Sequence, residues 1–152
     1  FINGCSLRLS NVFGRNQPSQ QRDRGILDKI FNRAVSGQNI TVYGDGSYLR
    51  DYIFIDDVIS AMVLAPNHTE QTNGRTFCIG SGQGITLKDA FLKVIAAAAL
   101  VTGRKVELVH VPPPDGLSLI EYRSTIIDSS EFTKATGWLP KYGLDDAIAT
   151  AY

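Results

Sequence analysis

The sequence predicts an α/β domain, and two observations carry that prediction. Short β-branched and apolar runs, such as residues 40–43 and 52–55, alternate with segments in which apolar residues recur at helical spacing, such as residues 26–35 and 87–102. Such alternation favours helices packed on a sheet with some parallel pairing. The chain has 152 residues, of which 43% are hydrophobic. That length predicts one domain that buries roughly two-thirds of its unfolded surface.

The composition excludes several classes of function. Fifteen basic residues balance fifteen acidic ones, and no basic stripe appears, so nothing favours nucleic acid or an anionic membrane as a partner. The longest apolar run, residues 94–101, is far shorter than the roughly 18 residues of a membrane span. Cys5 and Cys78 are expected to be buried free thiols. The chain begins at Phe1 without a signal peptide, so we expect a piece of a larger cytoplasmic protein.

The first half of the chain reads as strand, loop, helix and two strands. Residues 5–13 predict a strand, residues 15–24 a basic loop, and residues 26–35 an amphipathic helix that ends before Gly37. Strands at 40–43 and 52–55 enclose a glycine turn at residues 44–46. Asp56 or Asp57 is then expected to cap a helix over residues 58–64.

The second half continues the alternation. A strand over residues 76–80 leads into the segment 80–84, which lacks the third glycine of a dinucleotide fingerprint because Ile85 occupies that place. Thr86 and Asp89 form a capping box for a helix over residues 87–102. Strands are predicted at 106–111 and 123–127, then a short helix over 131–136 capped within residues 128–130, a core position for Trp138, and a final helix from about residue 144.

Arg50 is the residue best suited to hold an anionic ligand. It begins a strand beside a two-glycine turn, and its planar guanidinium matches phosphate or carboxylate. An ion pair with Asp45 or Asp51 explains it equally well. No nucleophile motif or metal-ligand cluster is present, and helix capping explains the Asp56–Asp57 pair better than metal binding or acid/base catalysis does. The residues alone therefore predict an anion pocket built from Arg50, the helix start at Gly25 and the basic loop.

Several motifs, in order, resemble the second half of the NAD-dependent epimerase/dehydratase family, the extended short-chain dehydrogenases. The first is Leu-Arg-Leu-Ser-Asn-Val-Phe-Gly at residues 7–14. Gly-Ile-Leu at 25–27, Val-Tyr-Gly-Asp-Gly at 42–46 and Arg-Asp-Tyr-Ile-Phe-Ile-Asp-Asp-Val at 50–58 follow. Later landmarks stand at residues 77–80, 127–130 and 137–140, so the resemblance covers nearly the whole chain. It implies the last strands of a Rossmann-like sheet plus the small substrate-binding subdomain of an extended short-chain dehydrogenase.

The resemblance also implies a set of site residues. By position, Ser10 matches the family residue that touches the nicotinamide end of NAD, and the other matched positions bind a nucleotide-sugar substrate: Asn11, Gly25, Ile26, Tyr43, Arg50 and, more weakly, Arg123. Two departures leave the recognised nucleotide open. Cys78 stands where many relatives carry an asparagine, and the proline run 112–114 replaces a stretch that commonly supplies an arginine.

The family's glycine-rich NAD turn and its catalytic Tyr-x-x-x-Lys pair do not occur in these 152 residues. We therefore expect residues 1–152 to form the substrate-binding portion of an NAD-dependent nucleotide-sugar 4-epimerase, inactive alone, with a UDP-sugar favoured and the intact enzyme a homodimer. The chain itself is expected to supply no catalytic residue and no metal ligand. The alternatives are a dehydratase of the same family, or a non-catalytic nucleotide-sugar binding module or gene fragment.

Overall fold

A computed structural model describes residues 3–14, 25–116 and 118–152 of the chain. The strands within these ranges are β1 (Ser6–Leu9), β2 (Asn11–Phe13), β3 (Ile40–Tyr43), β4 (Leu49–Phe54), β5 (Thr76–Ile79), β6 (Gly84–Thr86) and β7 (Leu108–Val111). The α-helices are α1 (Ile26–Val35), α2 (Ile55–Leu64), α3 (Thr69–Thr72), α4 (Leu87–Thr102), α5 (Ser130–Thr136) and α6 (Leu144–Ala151). Short 3-10 turns span Ala65–His68 and Leu119–Tyr122. The predicted basic loop 15–24 lies outside the described residues.

Parallel pairing dominates the described strands, so the predicted α/β class is confirmed. β1 pairs with β5, β2 with β4, and β3 with β7, all parallel, while the short β6 pairs antiparallel with β4. The predicted single strand over residues 5–13 is wrong, because the chain changes sheets at Ser10. Leu9 pairs with β5 in one sheet and Asn11 pairs with β4 in another, so the chain passes from one sheet to the other at Ser10.

Strand β4 is the wall shared by two hydrophobic cores. Tyr52 and Phe54 face the first core, between α1, α4 and α6, whereas Ile53 faces the second, between α2, α5 and β5. Side chains of successive strand residues point to opposite faces, so the apolar second half of β4, residues 52–54, must be covered on both sides. Trp138 lies in the second core, as predicted, and its indole nitrogen donates to Ser60 Oγ at 2.8 Å.

Three local expectations were wrong, and one strand was not predicted. Residues 123–127 form no strand, β6 was not anticipated, and the segment predicted as a strand from residue 106 begins at Leu108. The thiols are also not buried, since Cys78 is exposed and Cys5 half-buried. Cys78 lies on β5, whose alternate residues Phe77 and Ile79 take the core positions, so its own side chain points the other way.

The expected capping by Asp56 or Asp57 was wrong as well. Helix α2 begins at Ile55, its N-cap is Phe54, and no side chain caps it. Both aspartates lie in the first turn, where a negative charge still favours the helix dipole. The buried Asp57 carboxylate accepts from the backbone N–H groups of Lys141 and Tyr142 at 2.9 and 3.2 Å, so it ties α2 to the segment before α6.

Two other helix starts behave differently. The predicted N-cap at α4 is confirmed, because Thr86 Oγ1 accepts from the Asp89 N–H at 3.0 Å, whereas the Asp89 carboxylate accepts from the Thr86 hydroxyl at 2.7 Å. Helix α5 has Ser129 as its N-cap without a side-chain cap, and Asp128 instead accepts from the Ser130 N–H at 2.8 Å. Among the described residues, no helix is long and apolar enough to cross a membrane.

Candidate functional site

Three of the predicted site residues line one cavity. Asn11, Gly25 and Ile26 surround a space of about 410 Å³, which Tyr52 of β4 closes. Parallel pairing of β2 with β4 sets Asn11 directly beside Tyr52, and the Asn11 side-chain amide donates to the Asp51 carbonyl at 3.0 Å. Gly25 is the N-cap of α1, and a Cβ there would stand 3.0 Å from the Val12 carbonyl oxygen. The helix therefore starts as close to β2 as the backbone allows.

Tyr43 lies in a neighbouring cleft of about 340 Å³, and Ile26 lines both spaces. The cleft is aromatic on one side, where the Tyr48 and Tyr122 rings meet edge to face with centroids 5.5 Å apart. Its other wall is basic, because Lys29 and Arg33 of α1 line it. Tyr43 itself is 49% exposed, so its ring is available for stacking. An aromatic wall facing two cations suits a planar ligand that carries negative charge.

The structure brings Arg50 and Arg123 together. The Arg50 guanidinium is half-buried, and its Nη1 donates to the Leu49 carbonyl at 3.0 Å and to the Arg123 carbonyl. Arg50 and Tyr52 lie on the same side of β4, where Tyr52 lines the cavity, and Tyr48, just before β4, lines the cleft. The guanidinium of Arg50 brings a positive charge of planar, forked shape to this side of β4, which suits a phosphate or carboxylate.

The carboxylates of Asp45 and Asp51 accept hydrogen bonds from other groups and do not form the suggested ion pairs with Arg50. Asp45 accepts from the Ser47 hydroxyl at 2.8 Å and the Ser47 N–H at 3.0 Å, and these bonds hold the pKa of its carboxyl below the usual range. Asp51 is 1% exposed and accepts from backbone N–H groups of other segments, including Gly82 at 3.0 Å. Both aspartates therefore shape the backbone around Arg50.

Ser10 lies where the chain leaves β1 for β2. Its N–H donates to the Ile79 carbonyl at 2.9 Å, and its hydroxyl lies 3.4 Å from Asp51 Oδ1. β1 and β5 are parallel, so Ser10 stands just beyond the carboxyl ends of a parallel pair. In open α/β sheets that edge is where dinucleotides bind. A half-buried hydroxyl at this edge fits the predicted contact with the nicotinamide end of NAD.

The wall of the cavity contains a buried group that sequence reasoning missed. Tyr52 is 5% exposed, and among the described residues its hydroxyl has no hydrogen-bond partner. Burial raises the pKa of the Tyr52 phenol to about 12, an effect that the nearby Arg50 charge opposes. The hydroxyl therefore stays protonated at neutral pH. The sequence offered one indication of this role: Tyr52 follows Arg50 by two residues, which places both side chains on the same face of the strand.

A buried carboxylate lies near the positive N-terminus of helix α1. Asp28 in the first turn is buried, and one of its carboxylate oxygens accepts from the Tyr152 hydroxyl at 2.7 Å. The Tyr152 ring also stacks on Phe31 with centroids 4.1 Å apart. Burial and the Asp28 carboxylate raise the pKa of Tyr152 above its ordinary value. The anion-binding contribution expected from the helix start is therefore partly offset by a carboxylate within one turn.

Comparison with known proteins defines the class to which this fold and site belong. Residues 1–80 match the model of the NAD dependent epimerase/dehydratase family. That match covers more than half of the chain, so the chain belongs to this family. The α/β fold described above is thus a partial Rossmann-like fold of the extended short-chain dehydrogenase type.

The relatives it resembles include two curated 4-epimerases. The chain is 31% identical over 165 residues to a UDP-glucose 4-epimerase of Lactobacillus helveticus, with 99% of this chain and 48% of the relative covered. It is 33% identical over 142 residues to a dTDP-L-rhamnose 4-epimerase of Burkholderia thailandensis, with 93% and 37% covered. The chain thus spans about half, or less, of the length of these relatives.

Solved structures of UDP-glucose 4-epimerases share the fold. The enzyme of Thermotoga maritima, crystallised with UDP-glucose, superimposes with a TM-score of 0.78 at 30% identity, covering 99% of this chain and 45% of that one. The enzyme of Thermus thermophilus, crystallised with NAD, gives a TM-score of 0.75 at 28% identity, covering 97% and 44%.

Proposed function

We propose that residues 1–152 form the substrate-binding portion of an NAD-dependent nucleotide-sugar 4-epimerase and hold the nucleoside diphosphate of the substrate. The observation that carries this proposal is the continuity of the site. The aromatic cleft of Tyr43 adjoins the cavity of Asn11 and Gly25 across Ile26, and Arg50 lies in the chain between Tyr48, which lines the cleft, and Tyr52, which lines the cavity. A nucleoside diphosphate has a matching order of chemical groups: a planar base, which suits the aromatic cleft, followed by a diphosphate, which suits Arg50.

Each residue has a distinct task in this arrangement. The base stacks on the exposed Tyr43 ring within the aromatic cleft, at a typical gain of about 1–3 kcal/mol for base–aromatic stacking. The guanidinium groups of Arg50 and Arg123 neutralise the diphosphate through charge-assisted hydrogen bonds. Fixing the diphosphate in this way orients the sugar for reaction, because orientation removes much of the entropic barrier. We favour a UDP-sugar, in agreement with the UDP-glucose 4-epimerases among the relatives.

The chain's own contribution to the chemistry is binding and orientation. When bound, NAD supplies the carbon that takes a hydride from the sugar ring and returns it. Ser10 is the residue of this chain that would contact the nicotinamide end, from the edge of the parallel β1–β5 pair. Neither the glycine-rich NAD turn nor a Tyr-x-x-x-Lys pair occurs in these 152 residues. Proton transfer at the sugar therefore falls to the rest of a longer enzyme, which we expect to be a homodimer.

Arg50→Ala tests the proposal. In the natural full-length protein we expect UDP-glucose affinity measured by calorimetry to fall by about 1.5–3 kcal/mol, which is roughly 10- to 150-fold, because a charge-assisted bond to the diphosphate is lost. Arg104→Ala is the matched control, since Arg104 Nη1 likewise donates to a carbonyl, that of Val35 at 2.9 Å, but Arg104 follows α4 and does not lie on β4 between Tyr48 and Tyr52. Equal affinities of the Arg50 variant and the parent protein would refute the proposed diphosphate site.

The reaction itself is tested by product analysis. Full-length protein incubated with UDP-glucose and NAD is expected to yield the C4 epimer, observed by proton NMR. Loss of water with a keto-sugar product would instead make the protein a dehydratase, and binding without turnover would make it a binding module.

A further inference from the structure

A buried carboxylate next to Arg50 joins three separate segments. Asp51 Oδ1 accepts from the Ser81 N–H at 2.9 Å and the Ser81 hydroxyl at 2.7 Å, and Asp51 Oδ2 accepts from the N–H groups of Gly82 and Ile127, both at 3.0 Å. The Ser10 hydroxyl lies 3.4 Å from Oδ1. An ionised carboxylate has about four lone-pair positions, so these donors occupy its capacity. Asp51 therefore has nothing left to offer a ligand.

One of these segments runs alongside the beginning of β4. Residues 123–127, which we call the strap, are joined to Leu49 at two points: the Leu49 N–H donates to Ser124 Oγ at 3.1 Å, and the Thr125 N–H donates to the Leu49 carbonyl at 3.0 Å. The far end of the strap is fixed where the Ile127 N–H meets Asp51. Its near end carries Arg123, whose carbonyl accepts from the Arg50 guanidinium.

Asp51 and Ile127 lie too close to Gly80 for a side chain to fit at that position. A Cβ added to Gly80 would stand 2.7 Å from Asp51 Oδ2 and 2.5 Å from Ile127 Cβ. Gly80 also receives support from Ser129, whose hydroxyl accepts from the Gly80 N–H at 2.9 Å and donates to the Gly80 carbonyl at 3.1 Å. The Gly80 loop thus meets Asp51 and Ile127 with no room for a side chain at residue 80, and backbone bonds to Leu49 and Asp51 hold the strap against β4.

We propose that Asp51 is a positioning residue for the diphosphate: through the strap, its carboxylate sets where the Arg50 and Arg123 side chains stand, without touching the ligand. This inference rests on the proposed function. Two arginines recognise a diphosphate only when both are held at the right separation, and flexible guanidinium groups otherwise lose entropy on binding. Asp51 removes part of that cost before the ligand arrives.

Asp51→Asn is the main test, because the amide keeps the shape of the carboxylate but directs an NH₂ group at N–H donors. In the natural full-length protein, we expect the Kd of UDP to rise about tenfold and the Kd of uridine to change less than twofold. Uridine lacks the diphosphate and needs only the cleft of Tyr43, most of whose lining comes from α1, β3 and α4. A general loss of folded protein weakens both ligands equally, so equal losses would overturn the positioning role.

A double variant separates positioning from any direct role. In an Arg50→Ala background, Asp51→Asn is expected to add less than a threefold loss of UDP affinity, because the residue through which it chiefly acts is gone. A full additional tenfold loss would overturn the inference. Ser81→Ala provides a milder perturbation, which removes the 2.7 Å bond to Asp51 and the 3.2 Å bond that the Ser81 hydroxyl accepts from the Gln83 N–H, and it tests the same idea if Asp51→Asn does not fold. We expect a two- to threefold loss for UDP and none for uridine, and no loss for UDP would overturn the inference.

The two proposals fail in different ways. If Arg50→Ala leaves UDP affinity unchanged, the diphosphate site is wrong and the positioning role falls with it. If Arg50→Ala weakens UDP but Asp51→Asn does not, the diphosphate site stands and Asp51 has only a structural role.

Discussion

Tyr52→Phe is expected to stabilise the protein. The Tyr52 hydroxyl is buried without a partner among the described residues, and an unsatisfied buried polar group typically costs about 1–3 kcal/mol. Phenylalanine keeps the ring and its edge-to-face contact with Phe13, whose centroid lies 6.5 Å away. Removing the oxygen leaves only a small void, which takes back part of the gain. We therefore expect the free energy of unfolding at pH 7 to rise by about 1 kcal/mol.

The pH dependence of this difference is a second, independent part of the same prediction. Burial raises the folded-state pKa of Tyr52 to about 12 from the ordinary 10.0, so ionisation of this phenol takes no stability from the parent protein below pH 10 and takes progressively more as the pH rises towards 12. At pH 10.5 the unfolded phenol is mostly ionised while the folded one is not, which costs the parent protein about 0.8 kcal/mol that the variant does not lose. At pH 10.5 the free energy of unfolding of Tyr52→Phe is thus expected to exceed that of the parent protein by about 2 kcal/mol.

Urea denaturation followed by circular dichroism, at pH 7 and at pH 10.5, measures both quantities. Tyr43→Phe is the control, because the Tyr43 ring is 49% exposed and surface substitutions usually change stability by less than about 0.5 kcal/mol. A variant less stable than the parent at pH 7 would mean that the Tyr52 hydroxyl has a favourable partner. An advantage that does not grow between the two pH values would mean that the folded-state pKa is not raised.

Two further substitutions test how the helices are fixed. Asp57→Asn is expected to lower the free energy of unfolding by about 2 kcal/mol, because the amide places a donor against the N–H groups of Lys141 and Tyr142, and thermal denaturation that shows no change would contradict this. Thr86→Ala removes the bond that Thr86 Oγ1 accepts from the Asp89 N–H, so we expect a loss of about 1 kcal/mol in urea denaturation. Thr86→Ser keeps the hydroxyl and should restore most of it.

The site was predictable to the extent that its residues carry local motifs. Asn11, Gly25 and Ile26 were proposed from separate stretches of sequence, and the structure places them around one cavity. Tyr43 was proposed from its match to a family position, and it lies in the adjoining cleft. Their binding roles stay predictions, but their proximity is now a geometric fact. Family motifs anticipated this proximity because each marks the end of a strand or the start of a helix.

The partners of the aspartates could not be predicted in this way. Asp51 was considered only as an ion-pair partner for Arg50, whereas its carboxylate binds backbone N–H groups up to 76 residues away. Backbone donors carry no sequence signature, so no pattern near residue 51 announces them. The strap was mispredicted for the same reason. Residues 123–127 look like a strand in the sequence, but they bond to β4 through Leu49 and form no regular strand pairing.

By itself, the sequence determined the α/β class, the alternation of most helices and strands, and the family, because periodicity and short motifs are local properties of the chain. Only the tertiary structure decided that the first strand splits at Ser10, that β4 divides two cores, and that Asp51 joins β4 to the strap and the Gly80 loop. Those features depend on which distant segments fill a given volume and satisfy a buried polar group. Packing and hydrogen-bond satisfaction are settled between segments, and the local sequence contains only one side of each contact.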